Sequence, residues 1–433
     1  MTGVAPIRFA FAGQLLAACV ISGLAAGPFL DAQTKEVAPA AVRKQQPDSG
    51  KLVLYAGVGS EFVQYGVDAQ RGTLVKQSSV TLPGAVQYVW PHPSRRYLYV
   101  AWTNNGQRQH GVTAFRVNPA SGALQILGSP LSLRWRPIHV TTDIPGTHIL
   151  VAYNIPSGIT VHRIAADGSI GSQVDQPAKL DTGVYAHQIR VDASDKMVIL
   201  VTRGNGPTAD KPEDPGALKV FRYDNGILTN RDSIAPEGGI NFQPRHLDFH
   251  PTRPWVFVSL ERQNKLQVYE KLGNGTLSAT PRFVKESLAG GRSSDPDQMA
   301  SAIHVHPNGR FVYQANRSSK STEFQGKRVS AGGENSIAVY AINQSTGEPT
   351  LIQNMDTRGF VPRTFSLDPD GRILVVGNQT PSNVREGNKV ITVPANLSVF
   401  RIRADGKLKF IRKYDVETGA GSSLFWMGIM KLP

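Results

Sequence analysis

Cysteine is nearly absent from this chain: Cys19 is the single one in 433 residues. It lies in an apolar N-terminal stretch, so a processed chain would hold none. Disulfides, thiolate catalysis and cysteine-based metal sites are then excluded. Charge is sparse as well, at 18% of residues, and although Lys and Arg outnumber Asp and Glu by 47 to 33, no block of Lys/Arg occurs. No basic run is interleaved with aromatics either, so nucleic acid is not expected as a partner. A solvated basic surface, or a basic pocket for a small anion, fits that dispersal. Beyond the N-terminus no segment is long and apolar enough to span a membrane. The G-x-S-x-G, H-E-x-x-H and P-loop motifs are all missing, which removes the commonest signatures of serine hydrolases, zinc proteases and nucleotide enzymes.

Glycine (42) and proline (29) are plentiful. With ordinary hydrophobic content, they point to many short strands joined by tight turns. At the N-terminus, Arg8 is followed by an Ala/Leu-rich stretch from Phe9 to Leu30. Small residues after it would allow cleavage near Ala32, so residues 1–32 read as an export signal and the protein as periplasmic or extracellular. Leu16-Ala17-Ala18-Cys19 offers a lipoprotein box as the alternative, but the segment after Cys19 stays apolar where a lipid tether is usually polar. Residues 33–50 are polar and contain prolines, and read as a flexible lead-in.

From residue 51 the chain repeats itself. A short β-rich run recurs from Leu52, Tyr97, His148, Met197, Trp255, Phe311 and Ile373, at spacings of 45, 51, 49, 58, 56 and 62 residues. Each is followed by a second run, starting at Phe62, Val112, Ile159, Leu218, Leu266, Ile337 and Leu397. Turn pairs such as Asp167-Gly168 and Asn225-Gly226 then lead to a weaker fourth strand. A further set precedes the first: PIHVTTD, AHQIRVD, PRHLDFHP, AIHVHPNG and PRTFSLDPDG. The expected unit is four antiparallel strands, and seven such units can bury their faces only by radial stacking. The fold class is therefore all-β, a seven-bladed β-propeller over residues 51–433. The first copy lacks a preceding strand, and the C-terminal run Leu424 to Met430 should supply it, closing the first blade.

In a four-stranded meander, the starts of the innermost strands, the ends of the second strands and the loops after those share one edge. The strand starts offer His139, His187, Arg245, His246, His304 and Arg363, and the strand ends Asn154, Arg203, Glu261, Arg317 and Gln379. Three long connections, residues 204–216, 318–335 and 380–395, fall on the same edge and should wall a pocket. Many cations around one carboxylate, Glu261, suit an anionic ligand, because guanidinium forks match carboxylate and phosphate. His304 and His306 alternate on a strand as two metal ligands could, but His306-Pro307-Asn308-Gly309 reads better as a turn. No metal and no cofactor are expected.

At these residues the chain resembles the bacterial 6-phosphogluconolactonase family of seven-bladed propellers, related to carboxy-cis,cis-muconate lactonizing enzymes. The resemblance is carried by Pro244-Arg245-His246-Leu247-Asp248-Phe249-His250-Pro251, by residues 302–310 (AIHVHPNGR) with Tyr313 and Arg317 after them, and by Val361-Pro362-Arg363-Thr364-Phe365. It implies metal-free lactone chemistry, with His187, Arg245, Glu261 and Arg317 as catalytic residues and His246, His304 and Arg363 binding substrate. Glu261 or His187 would act as general base. The expectation is a lactonase for a small anionic or sugar-acid lactone, acting as a monomer. A non-catalytic envelope propeller that binds a ligand or protein, and a muconate-type lactonizing enzyme, remain as alternatives. Export would separate the protein from cytoplasmic sugar-phosphate metabolism.

Overall fold

The computed structural model describes residues 50–433 apart from Arg292 and Ser294. The export signal read over residues 1–32, and the lead-in before Gly50, lie outside the described residues. Seven antiparallel sheets of four strands are arranged as blades, one of them carrying an extra short strand, Leu131–Leu133. The innermost strands of blades I to VII are Leu424–Lys431, Ala85–Pro91, Pro137–Thr142, Ala186–Val191, Pro244–Phe249, Gln298–Val305 and Pro362–Leu367. Each packs beside the next, and the last beside the first, around a central channel. No helix among the described residues is long and apolar enough to cross a membrane.

The second strand of each blade explains the repeating apolar runs. Leu52–Val58 is buried at every position because both its faces meet a neighbouring blade. Leu52, Leu54 and Ala56 pack against Ile373, Val375, Leu397 and Val399 of blade VII. Val53 and Tyr55 point the other way, onto Val86, Leu98, Val100 and Phe115 of blade II. The alternation of side chains across a strand thus glues two interfaces with one segment. Closure is as expected: Leu52 pairs with Lys431 and Gly57 with Trp426, so the last strand of the chain completes the first blade.

Polar ties repeat between blades. The Tyr99 hydroxyl donates to the Gly168 carbonyl of the next blade at 3.0 Å, and Tyr313 to Gly406 at 2.9 Å. His250 Nε2 meets the Gly309 carbonyl at 2.8 Å, and His306 Nε2 the Gly371 carbonyl at 3.0 Å. His306 Nδ1 also accepts the Asn308 N–H at 3.1 Å, so this histidine shapes its turn. Gly371 is required there: its φ is +67°, and a Cβ would sit 2.2 Å from His306 Nε2.

Two features differ from the sequence reading. Ala85–Pro91 is an innermost strand absent from the set read by pattern. The missed signal is His92-Pro93, which repeats His250-Pro251 and His306-Pro307. The innermost strand of blade VI also begins earlier than read, at Gln298, so His304 is near its far end rather than at its start. The connections 318–335 and 380–395 fold into hairpins, Ser321–Phe324 with Lys327–Ser330 and Ser382–Glu386 with Lys389–Val393. These lean together: Asn383 Nδ2 donates to the Arg328 carbonyl at 3.1 Å and Arg385 stacks on Phe324 at 4.3 Å.

Candidate active site

One backbone device builds the mouth of the channel. In every blade the pairing between the innermost and second strands slips near the start of the innermost strand. The extra residue is Phe425, Gln87, Ile138, His187, Arg245 and Arg363 in blades I to V and VII. In blade VI, Ser301 and Ala302 share the bulge. A β-bulge leaves its extra residue out of the ladder and re-aims the side chain. Here it turns Gln87, Ile138, His187, Ala302, Arg363 and Phe425 onto one small cavity in the channel.

Three of the bulges are reinforced. Tyr185, Gln243 and Val361 directly precede the innermost strands of blades IV, V and VII, with φ of +57°, +39° and +54°. Such a conformation costs about 1–3 kcal/mol for a non-glycine residue and survives only where surroundings impose it. The same bond imposes it each time: the N–H groups of Arg203, Glu261 and Gln379 donate to the carbonyls of Tyr185, Gln243 and Val361 at 2.9, 3.0 and 3.1 Å. The residue just past the end of each second strand is thereby locked beside the bulge of its own blade.

Glu261 stands at the centre of the resulting cluster and is 2% exposed. Its Oε1 accepts from Arg245 Nη1 at 2.7 Å and from Arg317 Nη2 at 2.5 Å, and its Oε2 from Arg203 Nη1 at 3.2 Å. Burial would raise its pKa, but Arg245, Arg317 and Arg203 together hold it far below the usual carboxylate range. Burial pulls Arg245 down to about 10, which leaves it charged at neutral pH. The cluster is still short of negative charge. Arg363 donates to no acceptor among the described residues and lies flat on the Phe425 ring at 3.8 Å. The Nε–H groups of Arg245 and Arg317 are likewise buried without a partner among the described residues.

His187 sits beside these guanidiniums. Burial, then Arg245, Arg363, Arg203 and Arg317, lower its pKa well below the ordinary imidazole value, so the ring is neutral at pH 7. His246 packs behind it at 5.1 Å between ring centroids, and His139 lies 3.8 Å from Tyr88. Tyr88 and Trp426 complete this aromatic plug, their centroids 6.2 Å apart. The cavity it leaves is ≈ 20 Å³, room for about one water. A sugar-sized molecule therefore has to bind above the plug, at the mouth.

The structure thus gathers His187, Arg245, Glu261, Arg317, Arg363 and Arg203 at the mouth, and places His139 and His246 in the plug. His304 is deeper, its Nδ1 3.7 Å from Asp248, which pairs with Arg190 at 3.0 Å. The sequence reading put His304 at a strand start; the strand begins earlier, so His304 stands near its far end, where it still lines the small cavity shared with His187, His246 and Arg363. Asn154 is buried, and Gln379 reaches Ser423 Oγ at 3.4 Å. Gln87, Arg136, Tyr185 and Phe425 were not singled out. Gln87 belongs to the unread strand, and Phe425 to the closing strand, read for its pairing and not for its side chains.

Cavities that open on this face include one of ≈ 460 Å³ between the hairpins and one of ≈ 480 Å³ beside Gln87, Arg136 and Phe425. Comparison with known proteins agrees with this architecture. The profile of the family described as "Lactonase, 7-bladed beta-propeller" matches residues 54–386. The 6-phosphogluconolactonase of Bacillus subtilis (strain 168) is 28% identical over 81% of this chain and 95% of its own length. That of Serratia proteamaculans (strain 568) is 23% identical over 88% and 99%. Among solved structures, the Pseudomonas aeruginosa periplasmic gluconolactonase PpgL shares the fold, with a TM-score of 0.67, 20% identity, and coverage of 88% of this chain and 100% of that one. With seven blades, a closing strand and a cationic mouth built on bulges, the chain belongs to the seven-bladed β-propeller lactonase family.

Proposed function

We propose that this protein is a lactonase that opens the ester ring of a sugar-derived, anionic lactone at the mouth of the channel. The observation that carries the reading is the charge imbalance around Glu261: one buried carboxylate among Arg203, Arg245 and Arg317, with Arg363 stacked nearby and pairing with no carboxylate among the described residues.

The groups have distinct tasks. His187 is neutral, and as general base it takes a proton from water as the oxygen attacks the lactone carbonyl carbon. Charge develops on the carbonyl oxygen, where Arg245 and Arg317 provide preorganised donors in a buried setting. The ring C–O bond then breaks, the proton passes from His187 to the departing oxygen, and an open hydroxy acid leaves. Both oxygens of Glu261 are already taken up by guanidiniums, so it does not serve as the base. It anchors the three guanidiniums instead, and Arg363 faces the substrate's own charge. His246 and His304 support from below.

The apolar stretch from Phe9 to Leu30 supports a site of action outside the cytoplasm. An unphosphorylated sugar acid is then a natural candidate alongside a phosphorylated one. The test is lactone hydrolysis measured above the spontaneous rate. Arg245→Ala and His187→Gln should each lower kcat/KM by about 10²–10³. Wild-type rates equal to the spontaneous rate across a panel of sugar lactones would overturn the reading.

A further inference from the structure

We propose that Arg136, held in place by Gln87, is a second anion receptor at the mouth. It selects lactones that carry a carboxylate or phosphate remote from the ring ester. The inference rests on the lactonase reading of the same mouth and names a specificity determinant for it.

Gln87 is the bulged residue of blade II and is 4% exposed. Its amide is fully committed. Nε2 donates to the carbonyls of Ala85 and Val86, both at 3.2 Å, and Oε1 accepts Arg136 Nε at 3.0 Å and Nη2 at 2.7 Å. Two bonds to one fixed oxygen orient the guanidinium along one edge. The other edge, with Nη1, has no hydrogen-bond partner among the described residues. A neutral amide fixes this fork without cancelling its charge, whereas Glu261 both fixes the arginines across the mouth and cancels part of their charge. Arg136 forms no ion pair with a carboxylate among the described residues.

The cavity it faces is built for a polar ligand. At ≈ 480 Å³ it falls within the roughly 300–1,000 Å³ of small-molecule sites. Hydroxyl and amide groups of Ser60, Asn104 and Ser423 line it, and none of its lining residues is acidic. Phe425 forms its inner wall, with the Arg363 guanidinium stacked on the ring at 3.8 Å. An anion seated here would meet the free edge of Arg136 and the field of Arg363. A planar fork held by a neutral partner matches carboxylate or phosphate bidentately. With the ring ester over Arg245 and His187, a remote charged group would reach toward blades II and III.

The experiment compares kcat/KM on three lactones: neutral gluconolactone, 6-phosphogluconolactone and a monolactone of glucaric acid. Wild type should prefer at least one anionic lactone over the neutral one. In Arg136→Met, the ratio of anionic to neutral kcat/KM should fall about 10- to 100-fold, as loss of a charge-assisted hydrogen bond predicts. Arg136→Lys keeps the charge without the fork and should fall between. Whether the phosphate or the carboxylate ratio collapses tells which anion the pocket takes. Wild-type preference for the neutral lactone, or ratios unchanged in Arg136→Met, would overturn the inference and leave the lactonase reading standing. No turnover of any of the three by wild type would remove that reading and the inference with it.

Discussion

The channel holds two charged layers, alike in residue types and opposite in balance. At the mouth, Glu261 serves Arg203, Arg245 and Arg317, while Arg363 and Arg136 have no carboxylate among the described residues. Toward the other end, Arg190 and Asp248 meet at 3.0 Å, and His304 lies 3.7 Å from the same carboxylate. Arg190 is further held by the rings of Trp90 and Phe249, at 5.1 and 5.6 Å. A cavity opens at each end, ≈ 570 Å³ beside Arg190 and ≈ 480 Å³ beside Arg136, so size does not distinguish them. Charge balance does. A matched pair is complete without a ligand, and a surplus of fixed guanidiniums lacks the anion that would satisfy it.

The largest effect should come from breaking both layers at once. Deleting Leu424 to Pro433 removes buried Leu424, Met427, Met430 and Leu432. At about 1.5–3 kcal/mol each, their loss is on the order of 6–12 kcal/mol, comparable to the whole stability of an ordinary domain. The truncated chain should show no cooperative thermal transition, and an unchanged Tm would contradict closure through this strand. Next in size, Glu261→Gln strips buried Arg245 and half-buried Arg203 and Arg317 of their counter-charge. It should cost about 3–5 kcal/mol by chemical denaturation and abolish most lactone turnover. Asp248→Asn should cost less, about 1–3 kcal/mol, and leave kcat/KM within a few-fold of wild type. If it lowered kcat/KM as far as Glu261→Gln, the two layers would be functionally alike.

Much of the scaffold could be read from periodicity, because the second strands are buried on both faces and the sequence records that as apolar runs. The closing strand followed from a missing first strand. What periodicity cannot show is a bulge. His187, Arg245 and Arg363 were visible as charged residues near strand starts, but nothing in their spacing says that each is the one residue left out of the ladder. The hidden slip is also why Gln87 went unnoticed: as an ordinary strand glutamine it carries no chemistry, and as a bulge it presents an arginine. His304 shows the converse error. Its neighbour Pro307 marks the end of the strand well, but the beginning has no such punctuation, and four unremarkable residues, Gln298 to Ser301, shift its depth in the channel.

The smallest effect is one histidine's share of the pH dependence, and it separates the layers. In the folded protein, burial holds His139, His187 and His246 well below 6.5, and neighbouring arginines add to the shift. Unfolded, each would titrate near 6.5. Below that pH the unfolded chain binds protons that the folded chain refuses, so stability falls as pH falls, by up to about 1.4 kcal/mol per pH unit for each histidine. Above 6.5 these groups contribute no slope. The deeper layer behaves differently. Burial works against the Asp248 carboxylate, but Arg190 and His304 outweigh it and hold its pKa at about 2, so its contribution is kept until the pH drops below the ordinary aspartate range. Thermal melts from pH 8 to pH 5 should therefore show a Tm that is flat at first and then declines from about pH 6.5, a decline the plug histidines share with His110, His162 and His250, whose pKa values burial also lowers. His139→Phe, which keeps a ring against Tyr88, should make the decline shallower, and Asp248→Asn should leave its slope unchanged. A Tm that stays constant down to pH 5 would mean the histidines accept protons in the folded state. The plug would then be open to water, and a lactone could enter the channel rather than bind above it.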